Sequence, residues 1–184
     1  ALDHLCTLRF TQGELAYVGG LRYIKSDFVD FLRIFQFQRS FINAWAEGDE
    51  LHIVARGPQV HVMGFEIFVL AIVNELYFRR FDAAQALTNG RERLNAKVQQ
   101  LQALAQQATL RHPFELFDFG LRRRYSGAWQ REVVQTFATQ TPQWFKGTSN
   151  VLLARDLNLV PIGTLAHGYL HTFPRPGLRP RELG

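Results

Sequence analysis

From residue 114 onward, short apolar runs alternate with helical segments, and this alternation limits the possible folds more than any other feature of the sequence. Such a pattern is typical of βαβ units, in which helices connect parallel strands. The predicted strands are 114–119, 144–146 and 160–162. Between them the sequence predicts one helix over 127–139, with Ser126 as its N-cap and Trp129, Val133 and Phe137 on one face, and a second helix over 151–158. The C-terminal part of the chain is therefore predicted to form a parallel α/β sheet.

The upstream part contains several helices and one hairpin. Spacings of three and four between Phe28, Phe31 and Phe35 predict a helix over 27–35, with Asp27 as its N-cap. The other predicted elements are a β-hairpin from 43–45 and 51–55, a helix over 65–78 and an amphipathic helix over 90–108. The helix over 65–78 is apolar on nearly all sides until Asn74 and Glu75, so we expect it to be buried.

Composition excludes some classes of protein and leaves the ligand open. With 47% hydrophobic and 20% charged residues the chain is predicted to be folded, and its single Cys6 cannot form an intramolecular disulfide. The single cysteine fits a reducing, cytoplasmic location. The longest apolar run, 67–73, is much shorter than the roughly 20 residues needed to cross a bilayer, so we expect no membrane association. The net charge of +5 would suit nucleic acid, acidic lipid or a phosphorylated small molecule.

Each predicted strand is followed at once by a polar cluster that contains glycine. The three clusters are Gly120-Leu121-Arg122-Arg123-Arg124, Gly147-Thr148-Ser149-Asn150 and Gly163-Thr164-Leu165-Ala166-His167. In a parallel sheet all three would emerge at the C-terminal edge, where the ligands of α/β proteins bind. We therefore expect Arg122, Ser149 and His167 to share one rim and to face a common cavity.

Each cluster also has a purely structural interpretation. The three arginines could clamp phosphate through paired donors, or they could be solvated or ion-paired at the surface. The Gly-Thr-Ser-Asn segment could bind an anion at a helix start, or it could simply form a turn and an N-cap. His167 could act as a nucleophile or acid/base near neutral pH, or it could be a core histidine with both nitrogens satisfied.

At these clusters the sequence resembles the nicotinate phosphoribosyltransferase family. Residues 117–126, FDFGLRRRYS, resemble the family's DFGTRRRFS segment; 145–150, FKGTSN, resembles FVGTSN; and 163–167, GTLAH, is similar to the start of GTMAHE. The likeness continues upstream through 23–28, the hairpin, 57–58 and 70–75, and so covers nearly the whole chain. The chain departs from the family pattern at two positions. Leu121 stands where the family usually has threonine, and Gly168 stands where the family has a glutamate directly after the histidine.

The resemblance implies an α/β fold: a partial, irregular α/β barrel of the type II phosphoribosyltransferase kind plus part of a smaller α/β domain. Residues 1–111 would supply the side domain and lead-in helices, and 112–184 the first part of the barrel. The implied reaction transfers phosphoribosyl from phosphoribosyl pyrophosphate to nicotinate in NAD salvage, with ATP and Mg²⁺, in a homodimer. His167 would be phosphorylated by ATP, Thr164 would contact nicotinate, and the remaining substrate-binding residues would be Arg122, Arg123, Arg124, Thr148, Ser149 and Asn150.

Two other functions remain open from the sequence. Gly168 removes a carboxylate that could orient His167, so the chain could be a non-catalytic relative that binds a phosphorylated small molecule. A basic nucleic-acid-binding module is permitted by the charge, but no interleaved aromatic and basic motif supports it. Because half a barrel leaves strand edges and an apolar face uncovered, we also expect these 184 residues to behave poorly when isolated.

Overall fold

The computed structural model describes residues 1–106 and 112–163. The first part contains α1 (Leu2–Leu5), α2 (Gln12–Gly19), α3 (Ser26–Ile34), β1 (Ile42–Glu47), β2 (Glu50–Ala55), α4 (Gln59–Val62), α5 (Phe65–Phe78) and α6 (Ala83–Gln106). The second part contains β3 (Leu116–Asp118), α7 (Gly127–Gln140), β4 (Phe145–Thr148), α8 (Val151–Asp156) and β5 (Val160–Pro161). Helices and one antiparallel hairpin therefore precede a unit in which strands and helices alternate.

Local hydrogen bonds explain where the first helices begin. The Thr11 hydroxyl accepts from the Glu14 backbone N–H while the Glu14 carboxylate accepts from the Thr11 N–H, which is a capping box at the start of α2. The predicted helix over 27–35 is present as α3, but its N-cap is Lys25. Asp27 lies in the first turn instead, where its carboxylate accepts from the next backbone N–H.

The predicted hairpin is confirmed, and it contributes to the main core of the first part. β1 and β2 pair in antiparallel register from Ile42 opposite Ala55 to Glu47 opposite Glu50. Gly48 makes the turn with a φ of +58°, a left-handed conformation that residues with a side chain rarely adopt. The adjoining core consists of buried Leu5, Cys6, Phe37, Ile42 and Phe65.

Helix α5 has the predicted bounds, but the expectation that it is buried on nearly all sides is wrong for the described parts of the chain. Only Phe65 and Ala71 are buried on it. Its exposed apolar residues are Ile67, Phe68, Leu70, Leu76 and Tyr77. Phe65, Val69 and Ile72 pack against the hydrophobic core, and another side of the helix contacts the turn after β3. The described elements leave the five residues named above exposed.

The stretch Gln59–Phe78 has the length and hydropathy of a membrane span, with a mean hydropathy of 1.5, although core helices of soluble proteins meet the same criterion. It is not uniformly apolar, however. Glu66, Asn74 and Glu75 bond to residues 122–127 of the sheet unit. These contacts tie α5 to the sheet.

The predicted parallel sheet is confirmed, with strand order β3-β4-β5. Val134 of α7, Phe145 of β4 and Leu153 of α8 form its buried core. Ser126 is the N-cap of α7 as predicted, because its side chain accepts from the Trp129 N–H. The strand bounds differ slightly from those predicted, but the alternation of strand and helix is as expected.

Candidate functional site

The ends of β3, β4 and β5 meet at one edge of the sheet. The Ser149 N–H donates to the Asp118 carbonyl at 2.8 Å, and the Ile162 N–H donates to the Thr148 carbonyl at 3.1 Å. These bonds align the ends of the three strands, so the arginine segment 122–124 and the segment 148–150 follow neighbouring strands at the C-terminal edge. Thr164 and His167, which complete the predicted site, lie outside the described residues.

The three arginines differ in how their side chains are engaged. Arg122 forms an ion pair with Glu66 of α5 through its Nη1 atom. The Arg124 Nε atom donates to Glu75 Oε1 at 2.9 Å, with each side chain about a quarter exposed. Arg123 is exposed, and its guanidinium makes no hydrogen bond or ion pair within the described parts of the chain. The ion-paired interpretation therefore applies to Arg122 and Arg124, while Arg123 retains its donors.

Helix α5 holds the arginine segment in place. Asn74 Nδ2 donates to the Arg122 carbonyl at 3.2 Å. One oxygen of Glu75, Oε1, accepts from both Arg124 Nε and the Gly127 N–H, so it also serves the N-terminus of α7. Sequence reasoning missed these partners of the arginines. The available signal was that Asn74 and Glu75 interrupt an otherwise apolar helix.

The carboxylate of Asp118 lies at the end of β3 and accepts three hydrogen bonds. Its Oδ2 atom accepts from the Thr148 hydroxyl at 2.7 Å and from Gln130 Nε2 at 2.9 Å. Its Oδ1 atom accepts from the Gly120 N–H at 3.1 Å. Thr148 is fully buried. The predicted substrate-binding residue Thr148 is thus engaged inside the protein.

Gln130 extends this network to the start of α8. Its Oε1 atom accepts from Asn150 Nδ2 at 3.1 Å and, more distantly, from Arg124 Nη1 at 3.5 Å. Asn150 Oδ1 accepts from the Leu153 N–H, so Asn150 is the N-cap of α8. Asn150 is also buried, and its predicted role as a direct substrate ligand remains a prediction.

Sequence reasoning missed Gln130 because it looked for the packed face of α7 among apolar residues only. The predicted apolar residues Trp129, Val133 and Phe137 are partly buried, and Phe137 packs against the sheet core. The fully buried residues of α7 are Gln130 and Val134. Gln130 and Val134 are four residues apart, which is the spacing of one helix face, but a search for apolar residues does not count a glutamine.

Ser149 and Gly147 complete the edge. A Cβ atom on Gly147 would collide with the Val160 carbonyl oxygen, so only glycine allows β5 to approach β4 so closely. The Ser149 hydroxyl is half-buried and has no hydrogen-bond partner among residues 1–106 and 112–163. Ser149 and Arg123 are therefore available for a ligand at the rim. Within the same residues, no three His, Cys, Asp or Glu side chains are grouped as metal ligands.

Comparison with known protein families gives two matches along the chain. Residues 1–74 match the model of the nicotinate phosphoribosyltransferase N-terminal domain. Residues 114–173 match the model of the nicotinate phosphoribosyltransferase family. The second match includes all three polar clusters.

Individual proteins give the same result. A nicotinate phosphoribosyltransferase of Herminiimonas arsenicoxydans is 58% identical over 182 residues, which are 99% of this chain and 46% of that protein. A solved nicotinate phosphoribosyltransferase from Vibrio cholerae superposes with a TM-score of 0.81 at 33% identity, over 91% of this chain and 40% of that one. A further structure, from Porphyromonas gingivalis, shares the fold with a TM-score of 0.76 at 24% identity. The match covers 93% of this chain and 42% of that one. The chain thus spans less than half the length of these relatives.

Proposed function

This chain belongs to the nicotinate phosphoribosyltransferase family, and we propose that the protein containing it transfers a phosphoribosyl group from phosphoribosyl pyrophosphate to nicotinate in NAD salvage. The observation that carries the proposal is the 58% identity over 182 residues to a protein of that name. The geometry of the sheet edge supports it, because Arg123 and Ser149 have polar groups without partners among the described residues. Both lie beside strand ends, where phosphorylated ligands bind in α/β folds.

The proposed reaction forms one bond and breaks another at the same carbon. The pyridine nitrogen of nicotinate bonds to C1 of the ribose, and the bond from C1 to the pyrophosphate oxygen breaks. Pyrophosphate leaves with the electron pair, so negative charge grows on the leaving group. Guanidinium groups fixed near that charge, together with alignment of the nitrogen on C1, would supply the rate enhancement.

We propose different roles for the three arginines in this reaction. The Arg123 guanidinium has no partner within 1–106 and 112–163, and we assign it to the pyrophosphate. Arg122 can join it, since its partner Glu66 is more than half exposed and a phosphate oxygen could replace it at little cost. Arg124 is held by Glu75 and Gln130, so we assign it to fixing the segment. Mg²⁺ would accompany the phosphates of the substrate, as that ion usually does.

We further propose that ATP hydrolysis is coupled to transfer through His167, with Thr164 in contact with nicotinate. His167 would accept the γ-phosphoryl group of ATP, releasing ADP, and water would later remove it. An imidazole can act as such a nucleophile near neutral pH. We also propose a cytoplasmic homodimer, and these assignments rest on family membership.

The test is turnover by the longest natural protein that contains this chain. Incubation with nicotinate, phosphoribosyl pyrophosphate, ATP and Mg²⁺ should yield nicotinate mononucleotide and pyrophosphate. ATP labelled in its γ-phosphate should give an acid-labile, base-stable phosphoprotein, and the His167→Asn variant should not be labelled. If product forms without ATP and no labelled protein appears, the proposed transfer is supported and the proposed phosphorylation of His167 is wrong.

Gly168 is the specific observation that favours a second candidate, a non-catalytic relative that binds a phosphorylated small molecule. A carboxylate hydrogen-bonded to one ring nitrogen makes the other a better nucleophile, and Gly168 cannot supply it. Gly168→Glu should therefore increase labelling of His167 if coupling is weak in the natural sequence. Binding of phosphoribosyl pyrophosphate without turnover in either variant would select this second candidate.

A further inference from the structure

We infer that Asp118 and Gln130 are a pair of positioning residues, which set the geometry of the candidate site without touching substrate. The inference rests on the proposed phosphoribosyl transfer for its kinetic consequence. Its structural basis is independent of that function, because it follows from the hydrogen bonds that converge on these two side chains.

Asp118 joins three different segments through a single carboxylate. It accepts from the Gly120 N–H in the loop after β3, from the Thr148 hydroxyl at the end of β4, and from Gln130 on α7. Its backbone carbonyl also accepts from the Ser149 N–H. The separation between the arginine loop and the Ser149 loop is therefore fixed largely by one residue.

The amide of Gln130 is oriented by its neighbours. The Asn150 oxygen is committed to the Leu153 N–H, so Asn150 presents its NH₂ group to Gln130. Gln130 must therefore turn its oxygen toward Asn150 and its NH₂ group toward Asp118. In this orientation the same oxygen also faces Arg124 Nη1. A buried amide can satisfy both sides only in this orientation.

Asp118 and Gln130 are the hydrogen-bond partners of three residues that the sequence predicted to bind substrate. Thr148 is bonded directly to Asp118, and Asn150 and Arg124 are bonded to Gln130. These three belong to the set predicted to bind substrate, and all of them instead have partners inside the protein. The other predicted substrate-binding residues of the described part, Arg122, Arg123 and Ser149, lie on the segments that the pair holds together. A shift of the pair would move the substrate-binding groups.

Exchanging the two residues tests this hypothesis. In Asp118→Asn a new NH₂ group faces either Gln130 Nε2 or the Gly120 N–H, so a donor meets a donor in both orientations. In Gln130→Glu two carboxylates face each other. In the double variant the amide introduced at position 118 can donate to the carboxylate introduced at position 130, whose other oxygen still accepts from Asn150. The exchange thus restores the pairing while moving the charge from one partner to the other, although the Thr148 hydroxyl then lacks its acceptor.

The first measurement is steady-state kinetics of the full-length protein at a temperature where all variants are folded. Each single variant should lose about tenfold or more in kcat/KM for phosphoribosyl pyrophosphate, since small misplacements of binding groups are costly. The double variant should recover most of that loss. Glu132→Gln, on the same helix but paired outward with Arg91, is the matched control and should behave as the parent.

The second measurement does not depend on activity. Hydrogen exchange at the Gly120, Ser149 and Asn150 amides should be faster in each single variant and slow again in the double variant. Kinetics and exchange like those of the parent in folded single variants would overturn the positioning role. If the unmutated protein shows no turnover but the variants show this exchange pattern, the proposed function is wrong and the positioning role of Asp118 and Gln130 still holds. If Asp118→Asn does not fold, Thr148→Val removes one bond to the carboxylate and should show the same two effects more weakly.

Discussion

At the scale of single residues, hydrogen-bond partners separate the side chains that hold the site from those that can bind a ligand. Thr148 and Asn150 are buried and have internal partners, so we propose that they contribute by shaping the loops. Arg123 and Ser149 have polar groups without partners in the described parts of the chain. Residue type alone would have ranked all four equally.

Glu14 provides a residue-scale prediction about pH. Hydrogen bonds from the Thr11 backbone and hydroxyl lower the pKa of the Glu14 carboxyl. A lowered pKa in the folded state adds stability that is present above the unfolded pKa and is lost as pH falls through the folded pKa. Glu14→Gln keeps the shape of the cap but removes the charge. Because Glu14 is only partly buried and solvent screens its charge, the variant should destabilise the protein by only about 0.3–1 kcal/mol at about pH 7, and by progressively less below about pH 4.

Urea unfolding at several pH values would measure this difference. Asp49→Asn is the control, because Asp49 lies at the hairpin turn and has no ion pair or hydrogen bond in the described residues. A Glu14→Gln penalty that stayed constant as the pH was lowered through the folded pKa would mean that the charge of Glu14 does not contribute to the cap.

At the scale of elements, α5 is the scaffold on which the arginine segment is built. Its Asn74 and Glu75 side chains bind the backbone of that segment and of the α7 N-terminus. The start of the same helix, at Phe65, belongs to the core that includes the hairpin residue Ile42. Helix α5 thus connects the first part of the molecule to the edge of the sheet.

Glu75 gives a prediction at this scale. In Glu75→Ala both Arg124 and the Gly127 N–H lose a partly buried, charged acceptor. The expected destabilisation is about 1.5–3 kcal/mol, because hydrogen bonds to charged groups are the stronger ones and their partners would be left unpaired. Glu66→Ala on the same helix removes a more exposed ion pair and should cost less than about 1 kcal/mol. Equal losses in thermal or urea unfolding would contradict this role of Glu75.

At the scale of the whole molecule, many large apolar side chains are exposed on the described surface. The exposed apolar side chains include Leu70, Leu76 and Tyr77 on α5 and Val151, Leu152 and Val160 in the sheet unit. Contiguous exposed apolar patches usually mark surfaces that another segment or molecule covers. The chain spans 46% of the length of its Herminiimonas relative.

We therefore expect these 184 residues, when isolated, to self-associate. Sedimentation or light scattering at increasing concentration should show a rising average mass, and a dye specific for apolar surface should bind. Leu76→Lys combined with Tyr77→Ser should reduce both effects, because each substitution removes exposed apolar area without touching a buried residue. A monodisperse monomer that unfolds cooperatively would show this expectation to be wrong.

The sequence by itself determined the order of the elements, because that order depends on local patterns. The hairpin, the bounds of α5, the Ser126 cap and the alternation that yields a parallel sheet follow from hydrophobic spacing and turn residues within a few positions of each other. The placement of two polar clusters at one edge follows from the strand direction. The family could be recognised from the motifs in those clusters.

Only the tertiary structure decided which side chains at that edge are free. The partners of Arg122 and Arg124 lie 56 and 49 residues away in the chain, and Thr148 meets Asp118 across 30 residues. No local periodicity contains information on such pairs, and a buried glutamine such as Gln130 does not resemble a core residue until its partners are known. A polar side chain is committed or available according to what packs beside it, and that depends on contacts between distant segments.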